Sequence, residues 1–346
     1  MLLQSGWDTL LDYLSFHVIT CLVPAFFIAG ALYALFPKEK ILRYLGPNSP
    51  WYTSYPMAVV AGLCLAVCSC TVLPLFSGIR KSGAGLGPAM VFLYTAPATN
   101  ILAIIYTAQL IGIDFALARI ILSVGFAMII GLSMAAIFPD KKEEGSPSFE
   151  LALSSDESDV KTSWIWVFFG LLLAILLWGA SSLITWEIKL IGLAVLLIAL
   201  ALLTWRILTR EQFIRWMKET WYFVRTIFPW LLIGVFAAGI LRVLIPEDFM
   251  VRYFGSSTLL ANLGAVLFGV IMYFPTLVEV PMARLFLDLG VDKGPLLAYL
   301  LADPVISLPS ILVVRSIIGN KRLLWYVGII IVCCTAAGLI YGAVAN

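Results

Sequence analysis

Long apolar runs follow one another along this chain, separated by short polar breaks. Runs near residues 14–36, 55–79, 87–112, 113–138, 164–184, 187–204, 226–245, 262–287, 294–318 and 323–345 each approach or exceed the ~20 residues that a bilayer-crossing helix needs. Their Leu, Ile, Val and Phe lack the apolar–polar alternation of a barrel strand, and helices are then the one crossing structure that satisfies its backbone internally. The pattern predicts an all-α, polytopic integral membrane protein. Composition agrees, with 62% hydrophobic and 12% charged residues against the roughly 45–50% apolar content of a soluble domain. The opening stretch MLLQSGWDTLLDYL has neither a basic region nor a small-residue cleavage site, so the first run is expected to stay as a helix. A net charge of +2, with no basic patch interleaved with base-stacking aromatics, gives no expectation of a nucleic-acid partner.

The chain repeats itself. PKEKILRYLG at 37–46 returns as PEDFMVRYFG at 246–255, and GPAMVFLYTAPA at 87–98 as GPLLAYLLADPV at 294–305, with Gly62 matching Gly269 and Pro74 matching Pro281. The displacement is 207 to 209 residues, and each copy holds four apolar segments. The expected organisation is a first transmembrane repeat over 1–138, an acidic flexible loop over 139–163, two linking helices and an interfacial amphipathic helix over 164–222, and a second repeat over 223–346. The interfacial helix is read from Arg206, Arg210, Arg215, Lys218 and Arg225, interleaved with Trp205, Phe213, Trp216 and Trp221.

Membrane duplications are the usual build of secondary transporters, with the substrate near the midplane where broken helices of the two copies meet. The third segment of each copy carries such a break, at Pro97 in YTAPATN and at Pro304 in LADPVISLP. Two readings stand, a kinked crossing or a re-entrant hairpin. Loop charges favour the second, because Lys and Arg collect on the cytoplasmic side. Re-entrant third segments set the loop cations of residues 38–43, 141–161, 206–225, 284–293 and 321–322 on one side and leave only Arg80, Lys81, Lys189 and Arg252 opposite them. Eight spanning helices, two re-entrant hairpins, inverted repeats and outward-facing termini are therefore expected, with ten spanning helices as the alternative.

Candidate chemistry clusters in the second and third segments. CSCTVLPLF at 68–76 places Cys68 and Cys70 two residues apart, about 200° around a regular helix. Pro74 removes the hydrogen bond to the Cys70 carbonyl and loosens that turn, so two thiols can converge on one soft metal or metalloid centre, with Cys64 one turn away as a third. Buried cysteines also serve as small core residues, the reading preferred for Cys21, Cys333 and Cys334. In the second copy Glu279 stands opposite Val72, and Asp303 opposite Ala96. A carboxylate inside a bilayer must face a cavity, find a partner or take up a proton. Glu279 and Asp303 are thus proton-coupling and substrate-contact candidates, against the reading of structural acids paired with Arg119 or Arg315. Thr95, Thr99 and Asn100 beside Pro97, and Ser307 beside Pro304, add polar groups suited either to a cargo path or to plain interhelical hydrogen bonds, and Thr71 next to Cys70 is a further substrate-contact candidate. RKSGAGLGP at 80–88 reads as an anion cradle or, more simply, a glycine-rich turn, and His17 has no neighbouring ligand spacing.

CSCTVLPLFSGIRKSGAGLGPAMVFLYTAPATN, followed one copy later by FPTLVEVPMARLFLDLGVDKGPLLAYLLADPVISLP, resembles the predicted-permease family that includes the trivalent organoarsenical efflux (ArsP-like) permeases. The likeness spans both copies. It implies a transporter rather than an enzyme, in the cytoplasmic membrane, and places Cys68 and Cys70 in the substrate pathway. The resulting expectation is a permease moving a small thiol-reactive or soft solute outward, with no cofactor and no fixed metal. No ATP-binding motif is present, so a gradient or a partner protein would supply the energy. The competing class is a membrane thiol–disulfide relay, weakened by the strained ring that a Cys68–Cys70 disulfide would close.

Overall fold

The computed structural model describes residues 4, 7–8, 10–11, 22–35, 38–47, 49–65, 69–140, 162–180, 186–244, 253–271 and 276–345, with the backbone alone at some helical positions, Cys64 and Cys70 among them. The helices are α1 (Val23–Ala34), α2 (Lys38–Leu45), α3 (Trp51–Leu65), α4 (Ser69–Lys81), α5 (Leu86–Ala98), α6 (Ile101–Leu110), α7 (Ile113–Ile137), α8 (Thr162–Ala180), α9 (Trp186–Ile207), α10 (Arg210–Leu244), α11 (Leu259–Ile271), α12 (Thr276–Asp288), α13 (Lys293–Ile306), α14 (Leu308–Ile318) and α15 (Asn320–Ala345). Among the described residues there is no strand. Among the described residues four helices, Ile113–Ile137, Leu190–Ile207, Arg210–Ala237 and Asn320–Ala345, are long and apolar enough to cross a membrane, or up to six if each of two bent pairs is one span. The protein is a polytopic helical membrane protein.

The third segments are those bent pairs. α5 and α6 meet at 45° and α13 and α14 at 46°. Gly87, early in α5, lies against Gly131, late in α7, whereas Thr107 in α6 accepts a hydrogen bond of 3.3 Å from Arg119, early in α7. The third segment therefore runs antiparallel to α7 on both sides of its break. The segment continues in the same sense past its break, bent by 45° where two antiparallel legs were expected. Only Thr99 and Asn100 separate α5 from α6, and only Ser307 separates α13 from α14. The bends of 45° and 46° at these breaks are far short of a reversal, and the prolines weaken the ladder without ending it.

The reversals fall one segment earlier. α3 runs parallel to α5, since Tyr55 packs on Gly87 and Gly62 on Thr95 and Ala96. α4 then ends at Lys81, one tight turn before α5 begins at Leu86. The α3–α4 segment leaves from and returns to the same end of α5. α11 likewise runs parallel to α13, with Ser257 on Gly294 and Gly269 on Tyr299 and Asp303, and α12 ends at Asp288, just before Lys293 opens α13.

The two halves meet along equivalent elements. α5 touches α13, α4 packs on α14, and its counterpart α12 packs on α6. The Tyr94 hydroxyl donates to the Leu301 carbonyl at 3.1 Å, a residue 207 positions on and its own repeat equivalent. Contact between equivalents is what a pseudo-twofold axis passing between the halves would produce. α7 and α15, also equivalents, run antiparallel: Phe115 meets Tyr341 with ring centroids 5.4 Å apart, and Phe138 meets Arg322 at 6.0 Å.

The basic, aromatic stretch around residues 206–225 is not a separate surface helix. From Arg210 it belongs to α10, a single helix of 35 residues, or about 52 Å at 1.5 Å per residue. Trp216 is buried there and donates its indole N–H to the Phe27 carbonyl at 2.9 Å. A polar ring nitrogen with a backbone partner packs inward, which the charge pattern alone did not reveal.

Close backbone approach explains the glycines shared by both copies. A Cβ on Gly131 would sit 3.0 Å from the Gly87 carbonyl, and one on Gly338 would sit 2.7 Å from the Gly294 carbonyl. Gly131→Ala and Gly338→Ala are expected to cost about 1–3 kcal/mol through overpacking. Gly125→Ala and Gly328→Ala, where a Cβ meets nothing within 4 Å, should be neutral or mildly stabilising. Thermal unfolding of the detergent-purified variants separates the two pairs.

Candidate functional site

α7 turns one face inward through Phe115, Arg119, Ser123, Phe126 and Ile130, at helical spacing of three and four. Arg119 on that face is fully buried, and so is Glu279 in the first turn of α12. Arg119 Nη2 donates to Glu279 Oε1 at 3.0 Å. The pair ties α7 of the first half to α12 of the second. Glu279 gains from its place at a helix N-terminus, where the backbone dipole favours negative charge. Thr107 on α6 accepts from Arg119 Nη1 and donates to the Ala103 carbonyl at 2.7 Å, so the guanidinium also touches α6.

Asp303 is the second acid of the cluster. It lies in the last turn of α13, buried, within electrostatic reach of both Glu279 and Arg119. Its one protein partner among the described hydrogen bonds is the Tyr299 phenol, which donates to Oδ2 at 3.5 Å, a long and weak contact. Arg119 Nε, Ser123 Oγ, Glu279 Oε2 and Asp303 Oδ1 are buried without a hydrogen-bond partner. Unsatisfied atoms of this kind carry a free-energy cost wherever they occur in a protein interior. Three of these atoms belong to the ion pair and to Asp303, and Ser123 lies one turn along α7 from Arg119, so among the described residues the polar groups here are left short of hydrogen bonds.

This charged cluster is built on one side of the pseudo-twofold only. Counting 207 positions along the chain, Arg119 matches Tyr326, Thr107 matches Val314, and Glu279, Tyr299 and Asp303 match Val72, Phe92 and Ala96, all of them buried. The other side is lined by tyrosine and apolar groups, with the Cys334 thiol beside Tyr94. Equivalent backbones therefore frame two chemically different sites.

The remaining candidates divide clearly. Cys68 lies outside the described residues, as do Cys21 and His17, and Cys70 falls in the first turn of α4. Thr71 and Pro74 are buried in α4, and Pro74 is accommodated inside the helix. Thr95 and Pro97 are buried near the end of α5. Thr99 closes that helix, donating to the Thr95 carbonyl at 2.7 Å, and Asn100 follows it at the break. Pro304 is buried in α13. Ser307 at the equivalent break pairs with Ser310 through their hydroxyls at 2.9 Å. Arg315 bonds Asn320 at 2.7 Å rather than either acid. The anion cradle at residues 80–88 is filled from within: the Asp140 carboxylate accepts from Leu86 N at 2.5 Å and from Arg80 Nη2 at 3.3 Å.

Sequence reasoning found both acids but entered Arg119 only as a partner, and passed over Tyr299, Thr107 and Ser123. A cation inside an apolar run was signal enough to place Arg119 in the site.

The family model described as "Predicted permease" matches residues 5–343. The UPF0718 protein MJ0584 of Methanocaldococcus jannaschii is 36% identical over 348 residues, covering 97% of this chain and 95% of its own. The UPF0718 protein YraQ of Escherichia coli K12 is 20% identical over 344 residues, covering 98% of this chain and 81% of its own. No solved structure matches. A family match spanning residues 5–343, on a helical bundle with a buried charged cluster between its halves, identifies the chain as a member of the predicted-permease family, a multi-pass membrane permease for a small-molecule substrate.

Proposed function

We propose that this permease moves a small thiol-reactive or soft solute outward across the cell membrane, a trivalent organoarsenical or a related metalloid or sulfur compound, in exchange for protons. The observation that carries the transport reading is the meeting of the two interrupted crossings with the paired segments before them. Gly62 of α3 lies against Thr95 and Ala96, next to the first break, and Gly269 of α11 lies against Asp303, next to the second. Broken helices facing each other across a repeat interface are the usual setting of a midplane substrate site. Cys68 and Cys70 flank, in the sequence, Ser69 at the start of α4, and soft centres prefer thiolate ligands. Glu279 and Asp303 are the proton-coupling acids of the proposal.

The proposed arrangement has eight crossings, re-entrant α3–α4 and α11–α12 hairpins, inverted halves and both termini outside. The antiparallel run of α7 and α15 supports the inversion. Loop charges support it equally well, since Arg80 and Lys81 now join the cytoplasmic set while Arg284 and Lys293 leave it, so that Lys189, Arg252, Arg284 and Lys293 are the outer loop cations. The ion pairs Arg80–Asp140 at 3.3 Å and Lys81–Glu219 at 2.5 Å bring the expected cytoplasmic loops together. Arg284 reaches the Leu110 carbonyl at the other end, at 3.1 Å.

A single cysteine replacing exposed Leu289 should react with an impermeant thiol reagent added to intact cells, while one replacing exposed Tyr44 should react only after permeabilisation. Protection of position 289 would restore the hairpins to the third segments.

The cargo proposal is tested in inverted membrane vesicles at matched protein levels, with a trivalent organoarsenical as probe. Cys68→Ser and Cys70→Ser are each expected to reduce accumulation at least about tenfold, because losing one of two soft ligands removes most of the affinity. Cys333→Ser should leave it unchanged. Wild-type transport by the double Cys68→Ser, Cys70→Ser variant would end the thiol assignment.

A further inference from the structure

One cation faces two carboxyl groups in the buried cluster, and that imbalance has a mechanical use. Arg119 of α7 holds Glu279 of α12 at 3.0 Å. Asp303 of α13 lies close enough to feel both, yet is held only by the long Tyr299 contact of 3.5 Å. Among the described residues the facing groups are Arg119 from α7, Glu279 from α12, Asp303 and Tyr299 from α13, and the neutral Thr107 from α6. Further along α12, Arg284 and Asp288 are spent on each other at 2.7 Å. With both acids ionised, the cluster would bury a net negative charge in a low-dielectric interior, which costs several kcal/mol. One proton neutralises it. Glu279 sits at a helix N-terminus and Asp303 in the last turn of its helix, and the macrodipole favours negative charge at the first place and not at the second.

We propose that Arg119 is a sliding counter-ion, which pairs with Glu279 while Asp303 carries the proton, and pairs with Asp303 when the proton moves to Glu279. Both states are neutral and both keep the guanidinium paired, so neither buries an unmatched charge. The unpartnered Arg119 Nε and Asp303 Oδ1 are the donor and acceptor that the second state joins. α12 and α13 belong to the two segments next to the second break, so the exchange shifts the tie of α7 from one to the other. A bistable contact of this kind is what alternation between two access states requires. The proton comes from water and returns to water, and nothing else is consumed.

This deepens the proton-exchange reading above, and its test needs no cargo, so its failure would leave the thiol assignment standing. The measurement is infrared spectroscopy of the purified full-length protein in lipid, in water and in deuterated water, following the carbonyl band of protonated carboxyl groups. The wild type should show a deuteration-sensitive band from the cluster. Asp303→Asn should lose it, leaving Arg119 and Glu279 as a matched pair. Glu279→Gln should lose it too, because Arg119 then pairs with Asp303. The double variant Arg119→Gln, Glu279→Gln should regain it, since Asp303 is then left without a cation. Arg119→Lys should keep it, because charge rather than shape sets the count. A band that survives unchanged in Glu279→Gln, or is missing in both the wild type and the double variant, would overturn the exchange. If Glu279→Gln does not accumulate in the membrane, Asp303→Asn and the double variant read the same count.

Discussion

A guanidinium and a carboxylate are buried together between the apolar helices of this fold, and each constrains where the other can sit. Placing either alone at the centre of a bilayer costs on the order of 2.5–3.5 kcal/mol on insertion scales. Removing one partner of an established buried pair is worse, at about 3–5 kcal/mol, because the other is left uncompensated. Arg119 and Glu279 come from different halves of the chain, so the pair fixes how those halves sit against each other. Such pairs are weak evidence for stability, since well-packed apolar groups often serve as well or better. On the proposed reading, the charges stand opposite Tyr326 and Val72 because transport, rather than packing, uses them.

The surrounding helices follow from the demand that a backbone in apolar surroundings satisfy its own hydrogen bonds. The interrupted crossings give up little, since Thr99 returns its hydroxyl to the Thr95 carbonyl and Ser307 pairs with Ser310. The hydroxyls at the two breaks thus find partners within their own segments. Glycines do the complementary work, letting α3 approach α5 and α11 approach α13 at equivalent places. The duplicated halves keep these contacts while diverging in the chemistry that the contacts frame.

The helical class and the duplication were legible in sequence because both rest on strong local signals, unbroken hydropathy and recurring Gly-Pro elements. The identity of the reversing segments was not. A run of about 25 apolar residues is long enough for one crossing or for two half-depth legs, and a proline marks either. Loop charge did not decide between them, because moving the hairpins by one segment trades Arg80 and Lys81 for Arg284 and Lys293 and leaves the balance unaltered. What separates the cases is the register against α7 and α15, a long-range property. Glu279 and Asp303 stood out as rare intramembrane acids, while the role of Arg119 depended on the same missing register, which brings residues 160 positions apart into contact.

The central claim is that the Arg119–Glu279 pair exists for transport and not for folding. Its most direct test replaces both residues at once with apolar groups of similar size, Arg119→Met with Glu279→Leu, and compares the double variant with each single one. Thermal stability and vesicle transport are measured on the same preparations. The account predicts that each single variant is destabilised, that the double variant unfolds at or above the wild-type temperature, and that the double variant does not transport. A double variant that remains folded and transports at the wild-type rate would contradict it, and would return the pair to the status of a structural tie.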